Sequence, residues 1–193
     1  MSGVCKEAET LCDSYQWYQE MIELTPHPMT TREALASSAA RVAMKTHSKL
    51  IIVLAASGST ARMVAKYRPD VPILVAVVPK STGMRDMIGF ESRASSMQVA
   101  RQCNLIRGCI PFVSQTNVSE MEAKANSSGL LSQDSAVDFI IREAIMHAVE
   151  KGMIDSSDNV VCMHNIGENN YSLPVLKVIP AAWALEKAGT ADA

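Results

Sequence analysis

The sequence predicts an α/β fold: a three-layer α/β/α sandwich around a five-stranded, mostly parallel sheet with one antiparallel strand. Three observations carry that prediction. Two runs, Leu50-Ile51-Ile52-Val53-Leu54 and Ile73-Leu74-Val75-Ala76-Val77-Val78, are continuously apolar and rich in β-branched residues. Continuous rather than alternating apolarity marks strands buried on both faces of a parallel sheet. A helical pattern separates the two runs, which makes a strand–helix–strand unit of about 30 residues. Late in the chain, two more strand-like runs are joined by the eight residues His164–Tyr171. So short a connection permits only an antiparallel pair, because a parallel return needs about a dozen residues or more.

The elements follow in order. Val4, Ala8, Leu11, Cys12, Tyr15, Tyr18 and Ile22 recur at threes and fours, which predicts a helix over residues 1–24. Pro26 and Pro28 stop it, and residues 25–29 read as a linker. Thr30 and Glu33 form a capping box, the hydroxyl taking one free N–H and the carboxylate reaching back to another. The helix they open is rich in alanine and serine, small enough to lie close on a sheet. The first strand runs to Leu54, and a helix over Ala61–Tyr67 ends at Arg68-Pro69. The second strand ends at Val78. Residues 79–93 are rich in turn formers and read as a loop, and residues 96–106 as a helix. Cys109–Val113 is a third strand, whose Pro111 suits an edge. Residues 114–134 read as a polar surface insertion with one helical turn at 119–125. Asp134 or Ser135 caps a long helix with Val137, Ile140, Ile141, Ala144, Ile145 and Ala148 on one face, ended by Gly152. Asn159–Met163 is strand four and Leu173–Ile179 strand five.

Composition excludes several functions. The 193 residues are 48% hydrophobic, enough to build a core without staples. Eighteen basic and twenty acidic residues give a net charge of −2, so no basic field exists for nucleic acid, whose binding rests on neutralising phosphates. No apolar run approaches the roughly 20 residues of a membrane span, and the first residues lack the layout of a secretory signal. The five cysteines are odd in number, form no CxxC and suit free thiols in a reducing cytoplasm. The four histidines are scattered, so no zinc site is expected.

The segment that can carry chemistry is Leu54-Ala55-Ala56-Ser57-Gly58-Ser59-Thr60. It joins the C-terminal end of a buried strand to a helix N-terminus, the edge at which open α/β sheets bind ligands. Free N–H groups and the positive end of the helix dipole favour an anion there. Gly58 lets the backbone come close. Two readings of Ser57, Ser59 and Thr60 stand on pattern alone: donors to an anion, or ordinary turn and N-cap residues. The segment has no GK[ST] and no GxGxxG, so ATP or NAD use has little support. His164 is placed at the end of strand four, and with Asn165, Ala55 and Ala56 it marks the candidate pocket edge. The carboxylates Asp134, Asp138, Glu143 and Glu150 have the spacing of caps and solvated helix faces. Arg85-Asp86 and Glu91-Ser92-Arg93 lie in the loop region. No catalytic nucleophile signature is present, and no catalytic residue or metal ligand is expected.

Residues Arg32–Pro79, from REALASSAARVAMKTHSKLIIVL through AASGSTARMVAKYRP to the next strand, resemble the carboxyl-terminal α/β domain of pyruvate kinase. VARQCNLIRGCIPFV is similar to a later segment of the same domain, and MSGVCKEAE to the last helix of that enzyme's barrel domain. The resemblance covers residues 1–180. It implies the domain map 1–24 barrel-end helix, 25–29 linker, 30–185 carboxyl-terminal domain and 186–193 tail. In the family the barrel carries catalysis and binds phosphoenolpyruvate, ADP, Mg²⁺ and K⁺. The carboxyl-terminal domain is an allosteric and assembly module of a tetramer. The resemblance therefore implies no cofactor in this chain and no phosphorylation of ADP by it alone.

By position, Ser57, Gly58, Ser59 and Thr60 would hold a phosphate, a sulfate or one phosphate of a sugar phosphate. Two departures weaken a bisphosphate. Ala55 and Ala56 replace the Thr and polar residue common in fructose 1,6-bisphosphate-activated members. The last loop carries Glu168 and no arginine, whereas bisphosphate-responsive animal and yeast forms have a Gly-rich Trp-Arg-Pro loop there, whose arginine grips the other phosphate. Losing a charge-assisted contact to phosphate lowers affinity steeply. The pattern is similar to plant-type cytosolic forms. The implied partners are the chain's own barrel domain and further copies of the chain, with Val175–Val178 as a pairing edge. The competing expectation is a free-standing α/β protein that binds a small phosphate or nucleotide.

Overall fold

The computed structural model describes residues 3, 7, 13–55, 57–78, 90–114, 133–166 and 173–186. Ala56, the loop at 79–89, the insertion with its turn at 119–125, residues 167–172 with Glu168, and the tail at 187–193 lie outside them. The elements are α1 (Ser14–Glu23), α2 (Thr31–Thr46), β1 (Leu50–Ala55), α3 (Ser59–Lys66), β2 (Ile73–Val77), α4 (Phe90–Cys103), β3 (Cys109–Val113), α5 (Gln133–Glu150), β4 (Asn159–Ile166), β5 (Leu173–Pro180) and α6 (Ala182–Glu186).

The five strands form one sheet in the order β3-β2-β1-β4-β5. β1, β2, β3 and β4 run parallel, and β5 runs antiparallel to β4. Alternation along each strand sorts the core into two layers. Ile51, Val53, Ile73, Val75, Val161 and Met163 pack with the alanines of α2, with α3 and with α4. Leu50, Ile52, Leu74, Ala76, Val160 and Cys162 pack under α5 and α6. The predicted three-layer sandwich is thus the fold found. The order also reverses at β1, whose two neighbours belong to opposite directions of chain travel, and such a reversal opens a crevice at the strands' carboxyl ends.

The two sheet edges carry prolines. Ile73 donates its N–H to the Gly108 carbonyl at 2.8 Å, and Ser114 donates to Val77 at 3.2 Å. That phase turns the nitrogen of Pro111 away from β2, so no ladder bond is lost. On the other side, Ala181 donates to the Asp158 carbonyl at 2.8 Å. Counting by twos from that pair, Pro174, Leu176, Val178 and Pro180 turn their nitrogens to the open side of β5.

Several boundaries differ from expectation. The helix read over 1–24 is interrupted: Asp13 is extended and accepts N–H bonds from Tyr15 and Gln16, so α1 starts afresh behind it. α4 begins at Phe90 rather than 96 and ends at Cys103 rather than 106. α5 begins at Gln133, ahead of the expected cap at Asp134 or Ser135. β4 continues three residues past Met163 to Ile166, because pairing with β5 extends to Leu173. Only half of the capping box forms. Thr30 accepts the Glu33 N–H at 3.2 Å, but the Glu33 carboxylate is engaged elsewhere.

Candidate functional site

The turn after β1 sits at the reversal point of the sheet. Gly58 is the N-cap of α3, with φ 74 and ψ −2, and no side chain caps the helix. The left-handed backbone is what glycine tolerates without strain. Gly58 is also tightly seated, since a Cβ built on it would lie 3.0 Å from Cys103 Sγ. Ser57 and Ser59 are exposed, and their hydroxyls lie 3.2 Å apart. The serines therefore face solvent beside the helix start and leave its first-turn N–H groups without a side-chain cap. An uncapped, positively polarised helix end flanked by two hydroxyls can accept an anion.

The other sequence candidates are placed less favourably. Thr60 is only 7% exposed and Ala55 is 5% exposed, so both line the base of the turn. Ala56 lies outside the described residues. His164 is not at a strand end. It lies inside β4, is 1% exposed, and falls in register with Val160 and Cys162 on the α5 layer, opposite α3. It presents no accessible edge toward Ser57. Asn165 lies in β4, where it pairs with Pro174 of β5. Sequence reasoning missed Arg62, exposed on the first turn of α3. Its positive charge is close enough to oppose the burial that pushes the Cys103 thiol up.

A second cluster lies at the other end of α3. Lys66 Nζ donates to Glu33 Oε1 at 2.7 Å and to Thr25 Oγ1 at 3.1 Å. Tyr67, fully buried, donates its hydroxyl to the same carboxylate oxygen at 2.8 Å. The Lys66 and then the Tyr67 hydrogen bonds hold the Glu33 carboxyl below its ordinary range. The Glu33 bond holds the Lys66 ammonium above its own. Arg68 stacks on Trp17 at 4.5 Å, beside a cavity of about 360 Å³ lined by Pro69, Asp70 and Gly108. No spacing rule points to these partners, because the contacts span more than 30 residues.

The profile of the pyruvate kinase alpha/beta domain matches residues 33–179. The chain belongs to the pyruvate kinase family. The cytosolic pyruvate kinase of Solanum tuberosum is 41% identical over 178 residues, covering 92% of this chain and 31% of that protein. The cytosolic isozyme of Glycine max is 38% identical, covering 86% and 30%. The solved pyruvate kinase of Cryptosporidium parvum in complex with ADP superposes with a TM-score of 0.69 at 26% identity, over 93% of this chain and 29% of that one. The chain thus spans about a third of the length of the curated relatives it matches. Among the described residues, no group of three or more His, Cys, Asp or Glu side chains fits a metal ion. No helix among them is long and apolar enough to cross a membrane.

Proposed function

We propose that this pyruvate kinase α/β domain is a regulatory and assembly module that binds a phosphate-sized anion at Ser57–Thr60. The observation that carries the reading is the uncapped start of α3 at the sheet's reversal point, with two exposed hydroxyls beside it. The anion's oxygens would accept from first-turn N–H groups and from Ser57 and Ser59, with Arg62 adding charge. Phosphate, sulfate or one phosphate of a sugar phosphate share that chemistry. The match over residues 33–179 favours a domain of a longer enzyme over a free-standing binder.

The longer enzyme's activity would be transfer of phosphate from phosphoenolpyruvate to ADP in the cytosol, with Mg²⁺ and K⁺ held by its barrel domain. This chain alone would not perform it, since residues 33–179 are taken up by the α/β domain. Its other partners would be that barrel domain and further copies, with β5 as the edge offered.

Calorimetric titration with inorganic phosphate and fructose 1,6-bisphosphate tests the reading. Ligand at 100 times its dissociation constant stabilises by about 2.7 kcal/mol, which is roughly 5–10 °C in Tm at this size. Phosphate should bind, and Ser57→Ala with Ser59→Ala should weaken it about tenfold or more. The bisphosphate should gain little over phosphate. No binding of either ligand refutes the reading, and so does binding that ignores the double substitution.

A further inference from the structure

We propose that Lys66-Tyr67-Arg68-Pro69 is the joint through which the state of the Ser57–Thr60 turn reaches α1 and the linker behind it. In its ligand-bound form this rests on the anion reading above. Its mechanical part does not.

The two clusters described so far sit at opposite ends of one short rod. α3 has eight residues, so about 12 Å separate its ends. Ala61, Val64 and Tyr67 along its inner side are fully buried, and Gly58 is seated against Cys103 at its start. A rod packed this way has no soft interior. A tilt at the turn reappears at Lys66.

Each residue of the joint holds a different part of the chain. Lys66 ties the Thr25 hydroxyl to Glu33 at the start of α2. Thr25 in turn donates to the Met21 carbonyl at 2.6 Å, so Lys66 reaches the last turn of α1. Tyr67 donates to Glu33 and packs its ring 6.0 Å from that of Tyr18. Arg68 lies over Trp17. Its backbone has φ 46, where glycine would be unstrained and a side chain costs free energy. An arginine kept in that conformation points to work done by its side chain, and the cation–π stack on α1 is that work.

α1 depends on these contacts. It has no fully buried residue, and only Tyr18, Met21 and Ile22 pack against the core from its inner side. An element held by so few groups sits at the low-stability end of a structure and is readily biased. Opposite it, the other aromatic of α1, Tyr15, stacks under Arg41 of α2 at 4.4 Å. The same guanidinium lies 5.8 Å from the ring of Tyr18, so α2 also holds this helix beside the joint.

The experiment uses the full 193-residue chain with Trp183→Phe, which leaves Trp17 as its sole tryptophan. The ligand-free arm is a double-mutant cycle of Gly58→Ala and Lys66→Met, read by hydrogen exchange of the α1 amides. Gly58→Ala should speed that exchange by at least about fivefold, the lower end of ordinary coupling between sites. In the Lys66→Met background it should have less than half that effect. Additive effects overturn the joint. Cys103→Ala, which removes the sulfur beneath Gly58, serves the same cycle if Gly58→Ala does not fold. In the ligand arm, inorganic phosphate should shift Trp17 emission saturably. Arg68→Gly, which removes the contact to Trp17, should abolish that shift while phosphate affinity, read by equilibrium dialysis, stays within about twofold. A shift that survives Arg68→Gly overturns the proposal. Failure of phosphate to bind refutes the anion reading instead, and the ligand-free cycle then decides the joint alone.

Discussion

Gly58→Ala isolates how tightly the turn is built. Two separate effects act on the new methyl group. The backbone at φ 74 costs about 1–2 kcal/mol for a residue with a Cβ. The Cβ would also meet Cys103 Sγ at 3.0 Å, an overpacking contact of about 1–2 kcal/mol. Reduced freedom of the unfolded chain returns about 0.5 kcal/mol. The net loss is about 1.5–3.5 kcal/mol, or roughly 3–14 °C in Tm. Gly108 supplies the control, with φ 73 and no atom within 4 Å of where its methyl group would stand. Gly108→Ala should therefore cost only about 1 kcal/mol. Urea unfolding at constant m measures both. In a Cys103→Ala background, the loss at Gly58 should fall to the Gly108 value. Equal losses at the two glycines, or no relief without the sulfur, would show that the Gly58 seat is not where the energy lies.

Three further predictions concern the joint and the thiols. Glu33 has a lowered pKa through its Lys66 and Tyr67 bonds, so its contribution is present above the ordinary carboxylate range and is lost as pH falls through the folded value. Lys66 has a raised pKa, so its contribution is lost as pH rises through that value. Urea midpoints across pH should show both limbs; Glu33→Gln should remove the acid limb and shrink the alkaline one, and Lys66→Met should remove its part of the alkaline limb and shrink the acid one. Arg68→Gly relieves the backbone at φ 46 and removes the stack on Trp17; global stability should change by less than about 1 kcal/mol while Trp17 emission moves to the red. A change in stability without an emission change contradicts the clamp. Burial raises the Cys109 thiol to about 11 and the Cys162 thiol to about 12. Neither should react with a thiol reagent at neutral pH until the chain unfolds, as peptide mass mapping would read.

The sheet was legible because its signal is local. Ile51, Val53, Ile73 and Val75 each stand in an unbroken apolar run, and burial on two faces leaves no other pattern. The turn at Ser57–Thr60 was legible for the same reason, as a strand end meeting a helix start. The break at Asp13 was not, because apolar periodicity passes through it with no proline or glycine. Its aspartate is a good N-cap, but a good cap in mid-pattern reads as an ordinary exposed residue. Glu33 shows the sharper limit. Its spacing from Thr30 fits a capping box, yet a lysine and a tyrosine from the far end of α3 take the carboxylate. Pairs that distant in sequence leave no periodic trace. His164 was misplaced by the length of β4: three more residues of pairing moved it from a strand end into the interior.

The prolines at the two margins of the sheet have a consequence for how copies can meet. On the β3 side, Pro111 removes a donor from the centre of the free margin. On the β5 side, Pro174 and Pro180 bracket two remaining outward donors, Leu176 and Val178. Recruitment of another strand is therefore directional and brief: one margin is blunted, and the other offers a slot only a few residues long. Two identical slots facing each other antiparallel fill one another completely. Such a pair has used the free donors of that margin, so association by this route closes at a dimer and has no means of continuing as a fibre.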